Sequence, residues 1–239
     1  MITTPIDTMK LPPKRQALHI SRTQAGPPKR LTMLVYGSPG SGKTTFAATF
    51  PKPLFIDIQG GLMSIRAQEV AYVQPATYDD LIQCVIPDNV SAYETVILDT
   101  ATHTVQFIMD HVLTVIGKHD LPTLAEWAAT VEYTKRLIIA LLALPQHILV
   151  TAEERTDKDE DTGRILGGPD LPGSLPQRLS ALFDCVFHLH LGFNAATSTK
   201  GRWLGTQPEG IFFARDRIGG LAAKEPPDFD IIWKKATKA

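Results

Sequence analysis

Short runs of consecutive apolar residues alternate along this chain with longer stretches in which apolar positions recur every third or fourth residue. Leu31–Tyr36 (LTMLVY), Leu54–Ile58 (LFIDI), Thr95–Leu98 and Ile148–Val150 are runs of the first kind and predict buried strands. Lys43–Phe50, Thr77–Ile86 and residues 102–117 read as helices. The longest helical pattern spans 123–144, where Leu124, Trp127, Ala128, Val131, Ile138, Leu141 and Leu142 mark a stripe between Pro122 and Pro145. This placement puts Trp127 in the core. Phe183–Phe193 alternates with period two, which puts Phe183, Cys185, Phe187, Leu189 and Leu191 on one face, and Ile211–Ala214 reads as a further strand. Fully apolar strands separated by helices predict an α/β fold: a mainly parallel twisted sheet with helices on both faces.

Between the first strand and the first helix lies Gly37-Ser38-Pro39-Gly40-Ser41-Gly42-Lys43-Thr44, a complete phosphate-loop pattern, followed by Thr45. Its glycines let the backbone curl so that successive N–H groups converge on phosphate oxygens, and the helix that follows adds its positive end. Lys43 supplies a charge for the β- and γ-phosphates, and Thr44 a hydroxyl for Mg²⁺. Asp99 ends the strand TVILD at the edge where open α/β sheets bind ligands. It is the expected second magnesium residue, the alternative being a helix-capping carboxylate. Residue 100 is Thr, so a paired Asp-Glu is absent. No Asn-Lys-x-Asp guanine-reading motif occurs, which favours ATP over GTP.

Composition adds organisation. The 239 residues suit one large domain or two small ones, and 44% apolar with 21% charged residues excludes wholesale disorder. The net charge of −1 hides an asymmetry: residues 1–30 carry +5 and include five of the 18 prolines, leaving −6 on the remainder. A basic, Pro-containing arm (1–30) preceding a nucleotide-binding core (31–239) is the expected division. No run of apolar residues is long enough for a membrane span, and the N-terminus lacks a secretory pattern. Cys84 and Cys185 alone build neither a disulfide framework nor a four-thiolate zinc site, so a reducing cytoplasm is expected. His188 and His190 share a strand face but have no third metal ligand at suitable spacing.

The segments PLFIDIQGG, VILDT and HILVTAEER follow the phosphate loop in the order of the core strands of RecA-type recombinases. The chain resembles, over residues 31–235, the core-only RecA-like ATPases of bacteriophages, which include phage single-strand annealing proteins. This resemblance implies an ATP-binding protein, with Mg²⁺, that binds single-stranded DNA and promotes annealing and homologous recombination. It would act in the host cytoplasm, with no membrane contact. The implied partners are single-stranded DNA, further copies of the chain in a ring or filament, and a single-strand-binding protein.

In that family a Glu ends the second strand and activates the attacking water; here the position is Gln59, which orients a water but cannot take its proton. The expected ATPase is therefore slow or DNA-stimulated. Asp57 either substitutes or is an ordinary strand-end carboxylate. Thr151 and Glu153 occupy the position of a γ-phosphate-sensing residue, or simply line a loop. The loop 155–174 corresponds to a DNA-contacting loop, and Arg155, Lys158, Arg164 and the later Arg178 suit that. Asp157, Asp159, Glu160 and Asp161 oppose it, and no aromatic residue is present for stacking. Arg164–Gly173 is then the stretch expected to approach a strand. Arg215 and Arg217 project on one strand face and resemble in-trans arginine fingers acting on a neighbour's γ-phosphate; the alternative is a solvated strand end. Trp203 beside Lys200 and Arg202, and Trp233-Lys234-Lys235 with Lys238, are further candidate nucleic-acid contacts. Two other functions compete: a nucleotide-dependent assembly switch without DNA, and a P-loop small-molecule kinase, for which the acidic 157–161 stretch makes a poor lid.

Overall fold

The computed structural model describes residues 28–115, 121–158, 163–194 and 199–238. The basic arm up to residue 27 and the acidic residues 159–161 lie outside the described residues.

In chain order the elements are β1 (Thr32–Tyr36), α1 (Lys43–Ala47), β2 (Pro53–Asp57), β3 (Ala71–Val73), α2 (Tyr78–Gln83), α3 (Pro87–Val90), β4 (Thr95–Asp99), α4 (Ala101–Val115), α5 (Leu124–Ala143), β5 (His147–Ala152), β6 (Glu154–Lys158), β7 (Ile165–Pro169), α6 (Leu175–Ser180), β8 (Cys185–Asn194), β9 (Thr199–Gly205), β10 (Arg215–Asp216), β11 (Lys224–Glu225) and α7 (Phe229–Ala236). The main sheet runs β11-β9-β8-β1-β5-β4-β2-β3, with β10 paired to β8. From β8 to β3 every neighbouring pair is parallel, while β9, β10 and β11 join antiparallel.

Successive residues of β1 feed opposite faces of this sheet, and both faces are covered. Leu34 and Tyr36 pack with Val105, Ile108 and Val112 of α4 and Leu137, Ile138 and Leu141 of α5. Met33 and Val35 pack with Phe46 of α1 and Phe229 and Ile232 of α7 on the other face. Each fully buried Phe or Leu contributes about 1.5–3 kcal/mol.

Local chemistry sets the element ends. Thr77 and Asp80 form a capping box on α2, and Thr123 and Glu126 another on α5. The buried face of α5 shares only Ile138 and Leu141 with the predicted stripe. It is Glu126, Thr130, Thr134, Leu137, Ile138 and Leu141, while Leu124 is 88% and Trp127 40% exposed. Thr130 can lie inside because its hydroxyl donates back to the Glu126 carbonyl at 2.9 Å, so a polar residue replaces the expected apolar one.

Three other expectations are corrected. Ile211–Ala214 is not a strand: Gly167 N donates to Ile211 O and Phe213 N to Gly167 O, and regular pairing with β8 begins only at Arg215. The loop 155–174 contains an antiparallel hairpin, β6–β7, before α6. Phe183 precedes β8 and packs on the opposite side of the sheet from Cys185, Phe187 and Leu189, and Leu191 is 46% exposed. Among the described residues no helix is long and apolar enough to cross a membrane. Both cysteines are free and buried.

Candidate active site

The parallel register brings Tyr36, Ala152 and His188 level, and Asp57 level with Asp99. The residues that follow these strand ends therefore gather at one edge of the sheet. A cavity of about 360 Å³ opens there, lined by Pro39, Gly40, Gly42, Lys43, Thr44 and Thr45 of the phosphate loop, and by Gln59, Asp99 and Glu153 from the neighbouring strand ends. Its size suits a nucleotide-scale ligand.

The loop needs glycine for two separate reasons. Gly42 has φ of 106°, a conformation that L side chains rarely adopt. Gly37 lies so close to β8 that a Cβ there would sit 2.6 Å from the Leu189 carbonyl oxygen. Gly37, Ser38 and Ser41 shape the loop without lining the cavity themselves.

Lys43 is buried, and its Nζ donates to Gly37 O at 2.8 Å, Ser38 O at 3.2 Å and Glu153 Oε2 at 3.0 Å. The carboxylate of Glu153 thus stands where an anionic phosphate would meet the lysine. Asp99 accepts from the Thr44 hydroxyl on Oδ2 at 2.8 Å and from the Thr151 hydroxyl on Oδ1 at 2.5 Å. Burial pushes the Asp99 carboxyl above its ordinary value, while Thr151, Thr44 and Lys43 pull it down and the Asp57 charge pushes it up. Thr151 does not line the cavity; it holds Asp99.

The donor set fits magnesium. Thr44 and Asp99 present a hydroxyl and a carboxylate oxygen to each other beside the phosphate cradle, and hard oxygen ligands together with phosphate oxygens are what Mg²⁺ takes. Bound there with a nucleotide, the ion would neutralise phosphate charge. It would also offset the cost of ionising Asp99.

Asp57 is engaged on both oxygens. Oδ1 accepts from Gly60 N at 2.9 Å and Gly61 N at 3.0 Å, and Oδ2 from Gln74 Nε2 at 3.0 Å. It braces the turn that presents Gln59.

Arg215 and Arg217 stand apart from the cavity. Arg215 pairs with Val186 near the start of β8, at the opposite sheet edge, and its guanidinium donates to Ser180 O and to Phe183 O at 2.9 Å. Arg217 donates to Ala181 O at 3.0 Å. The two arginines serve one side, as their spacing predicts, and that side is the end of α6.

Other candidates are accounted for by packing. Trp203 is half-buried and stacks on His190 with centroids 5.3 Å apart, so it is not an open platform. His188 shares a 2.7 Å hydrogen bond with Glu154, and no metal-holding cluster exists among the described residues. Trp233 packs on the core beside Phe229, and Lys235 pairs with Glu225 at 2.6 Å.

Gly61, Ser64, Thr100 and Arg202 also line the cavity, and none was foreseen as part of this site. Arg202, on β9, crosses the phosphate loop, with Nε donating to Ser41 O at 2.8 Å. No spacing in the sequence links it to a loop so far away.

A family model described as an AAA domain matches residues 29–218. This chain belongs to the AAA domain family. The phosphate loop between β1 and α1, the largely parallel sheet and its helices on both faces give this AAA-domain chain a RecA-like P-loop ATPase fold. Among solved structures it is similar to a KaiC-like protein from Pyrococcus horikoshii, with 17% identity, 73% of this chain and 76% of that chain covered, and a TM-score of 0.44. It is also similar to the flagellar accessory protein FlaH from Methanocaldococcus jannaschii, with 11% identity, 74% and 77% covered, and a TM-score of 0.42. No curated protein matches the chain.

Proposed function

We propose that this AAA-domain chain is an ATP-driven protein of the phage RecA-like type that binds single-stranded DNA and promotes strand annealing and recombination. It binds ATP with Mg²⁺ and hydrolyses it slowly. The observation that carries the reading is the Lys43–Glu153 ion pair at 3.0 Å. Glu154, the next residue, begins the β6–β7 hairpin. Phosphates that claim Lys43 displace Glu153, and the base of the hairpin is one peptide away. Nucleotide state is thereby coupled to an exposed element that carries Lys158 toward solvent.

One observation favours a second reading, an assembly switch without DNA. Arg155, the first basic residue of the hairpin, is paired with Asp157 at 2.6 Å and Asp170 at 3.5 Å, which leaves less of its charge for phosphate. In either reading, Arg215 and Arg217 reach a nucleotide only across copies of the chain.

Fluorescence anisotropy of a labelled oligonucleotide, without nucleotide, with ADP and with ATP at fixed low salt, tests the proposal. Tighter DNA binding with ATP, lost in Lys43→Ala, is expected. ATP-dependent assembly with no DNA response would replace it with the switch.

A further inference from the structure

We propose that Glu153 is the catalytic base for ATP hydrolysis, doing the work that Gln59 cannot; this rests on the nucleotide reading of the site. Three carboxylates line the cavity: Asp57, Asp99 and Glu153. Asp57 is committed through both oxygens to Gly60, Gly61 and Gln74, and withdrawing it would release the turn before β3. Asp99 is committed to the Thr44 and Thr151 hydroxyls and to the magnesium position. Glu153 alone is held by a group that the substrate itself removes. Among the described residues its side chain bonds only Lys43, the lysine that the β- and γ-phosphates claim.

The geometry also fixes where Glu153 is left once Lys43 turns to phosphate. Its backbone N accepts no freedom of position: it donates to Thr102 Oγ1 at 2.9 Å, and that hydroxyl in turn donates to Asp170 O at 3.0 Å. The main chain is anchored while the side chain, 22% exposed, can turn. A carboxylate 3.0 Å from the lysine nitrogen lies within one water of any phosphate bound there. Gln59 lines the same cavity and can orient that water by hydrogen bonding.

In the step so assigned, the water oxygen attacks the γ-phosphorus as the bond from phosphorus to the β–γ bridging oxygen breaks. The water proton passes to the Glu153 carboxylate. ADP leaves with the electron pair of the broken bond, and the proton is then released to solvent or to the product phosphate.

The test is ATP turnover with Mg²⁺ on the full chain, with ATP affinity measured in parallel, for wild type, Glu153→Gln and Glu153→Asp. A base is worth about 10²–10⁴-fold in rate, so Glu153→Gln should lose turnover by that factor while binding ATP at least as tightly as wild type. Glu153→Asp, which keeps the carboxylate, should retain part of the rate and guards against misfolding as the cause of loss. Were Glu153 merely a latch on Lys43, Glu153→Gln would bind ATP more tightly and turn over at the wild-type rate, which overturns the proposal. Wild-type ATP binding without turnover overturns it as well. Absence of ATP binding in the wild type would instead overturn the nucleotide reading beneath it.

Discussion

Thr151→Val removes one hydroxyl from a fully buried position and keeps the branched shape of the side chain. That hydroxyl is one of two that donate to Asp99, at 2.5 Å on Oδ1, the other being Thr44 on Oδ2. A hydrogen bond to a charged group contributes about 1.5–3 kcal/mol, and each 1.4 kcal/mol is tenfold in an equilibrium constant. Losing it raises the cost of ionising Asp99, whose carboxyl burial already pushes above its ordinary value. The Mg²⁺ concentration needed to support ATP binding should therefore rise by about 10- to 100-fold. The sign with pH follows: a higher carboxyl value needs a higher pH to ionise, so the pH at which Mg²⁺ dependence appears should also move upward. ATP affinity in the presence of a chelator, which depends on Lys43 and the loop N–H groups, should change little. The assay is a Mg²⁺ titration at fixed ATP, read by thermal shift or calorimetry, with Thr151→Ser as the variant that keeps the hydroxyl. A Mg²⁺ midpoint within about twofold of wild type would refute the role given to Thr151, because the smallest bond energy invoked already exceeds that.

Gly42→Ala should weaken nucleotide binding and lower stability by at least about 1–2 kcal/mol, because the residue sits at φ 106° and its Cβ would lie 2.9 Å from Arg202; an unchanged melting curve would refute the loop assignment. Burial lowers His147, His188 and His190 below their ordinary value of 6.5, His188 and His190 also feeling nearby glutamates that pull the other way. Their contribution to stability is present above pH 6.5 and is lost as pH falls through the folded-state values, whereas Asp99, shifted up from 3.8, acts in the opposite sense. The melting temperature should fall between about pH 7 and pH 5.5, and a flat profile there would show that these imidazoles titrate normally.

The phosphate loop and the strands around it were legible because their signals are local. Leu31–Tyr36 is apolar apart from Thr32 because β1 is buried on both faces, and the loop glycines lie within six residues of one another. The start of α5 was legible from Pro122, and Thr123 and Glu126 cap it there. The β6–β7 hairpin was not, because nearly all of β6 is exposed and no alternation of apolar residues marks a strand with no buried face. Nor was the brace role of Asp57, which needs Gln74 brought back beside it by β3. Arg202 reaches Ser41 from 161 residues away, through a strand whose place beside the loop is set by the pairing of β8 with β1 and β9. Contacts of that kind are decided by topology and leave no trace in spacing.

Isothermal titration of Mg²⁺ and ATP into the full chain and into Lys43→Ala tests the central claim most directly. Lys43 is buried at the floor of the site, and among the described residues its amine meets only two loop carbonyls and Glu153. The account predicts one ATP site per chain in the wild type, and its loss in a folded Lys43→Ala protein. Equal ATP affinity in the two proteins would contradict it.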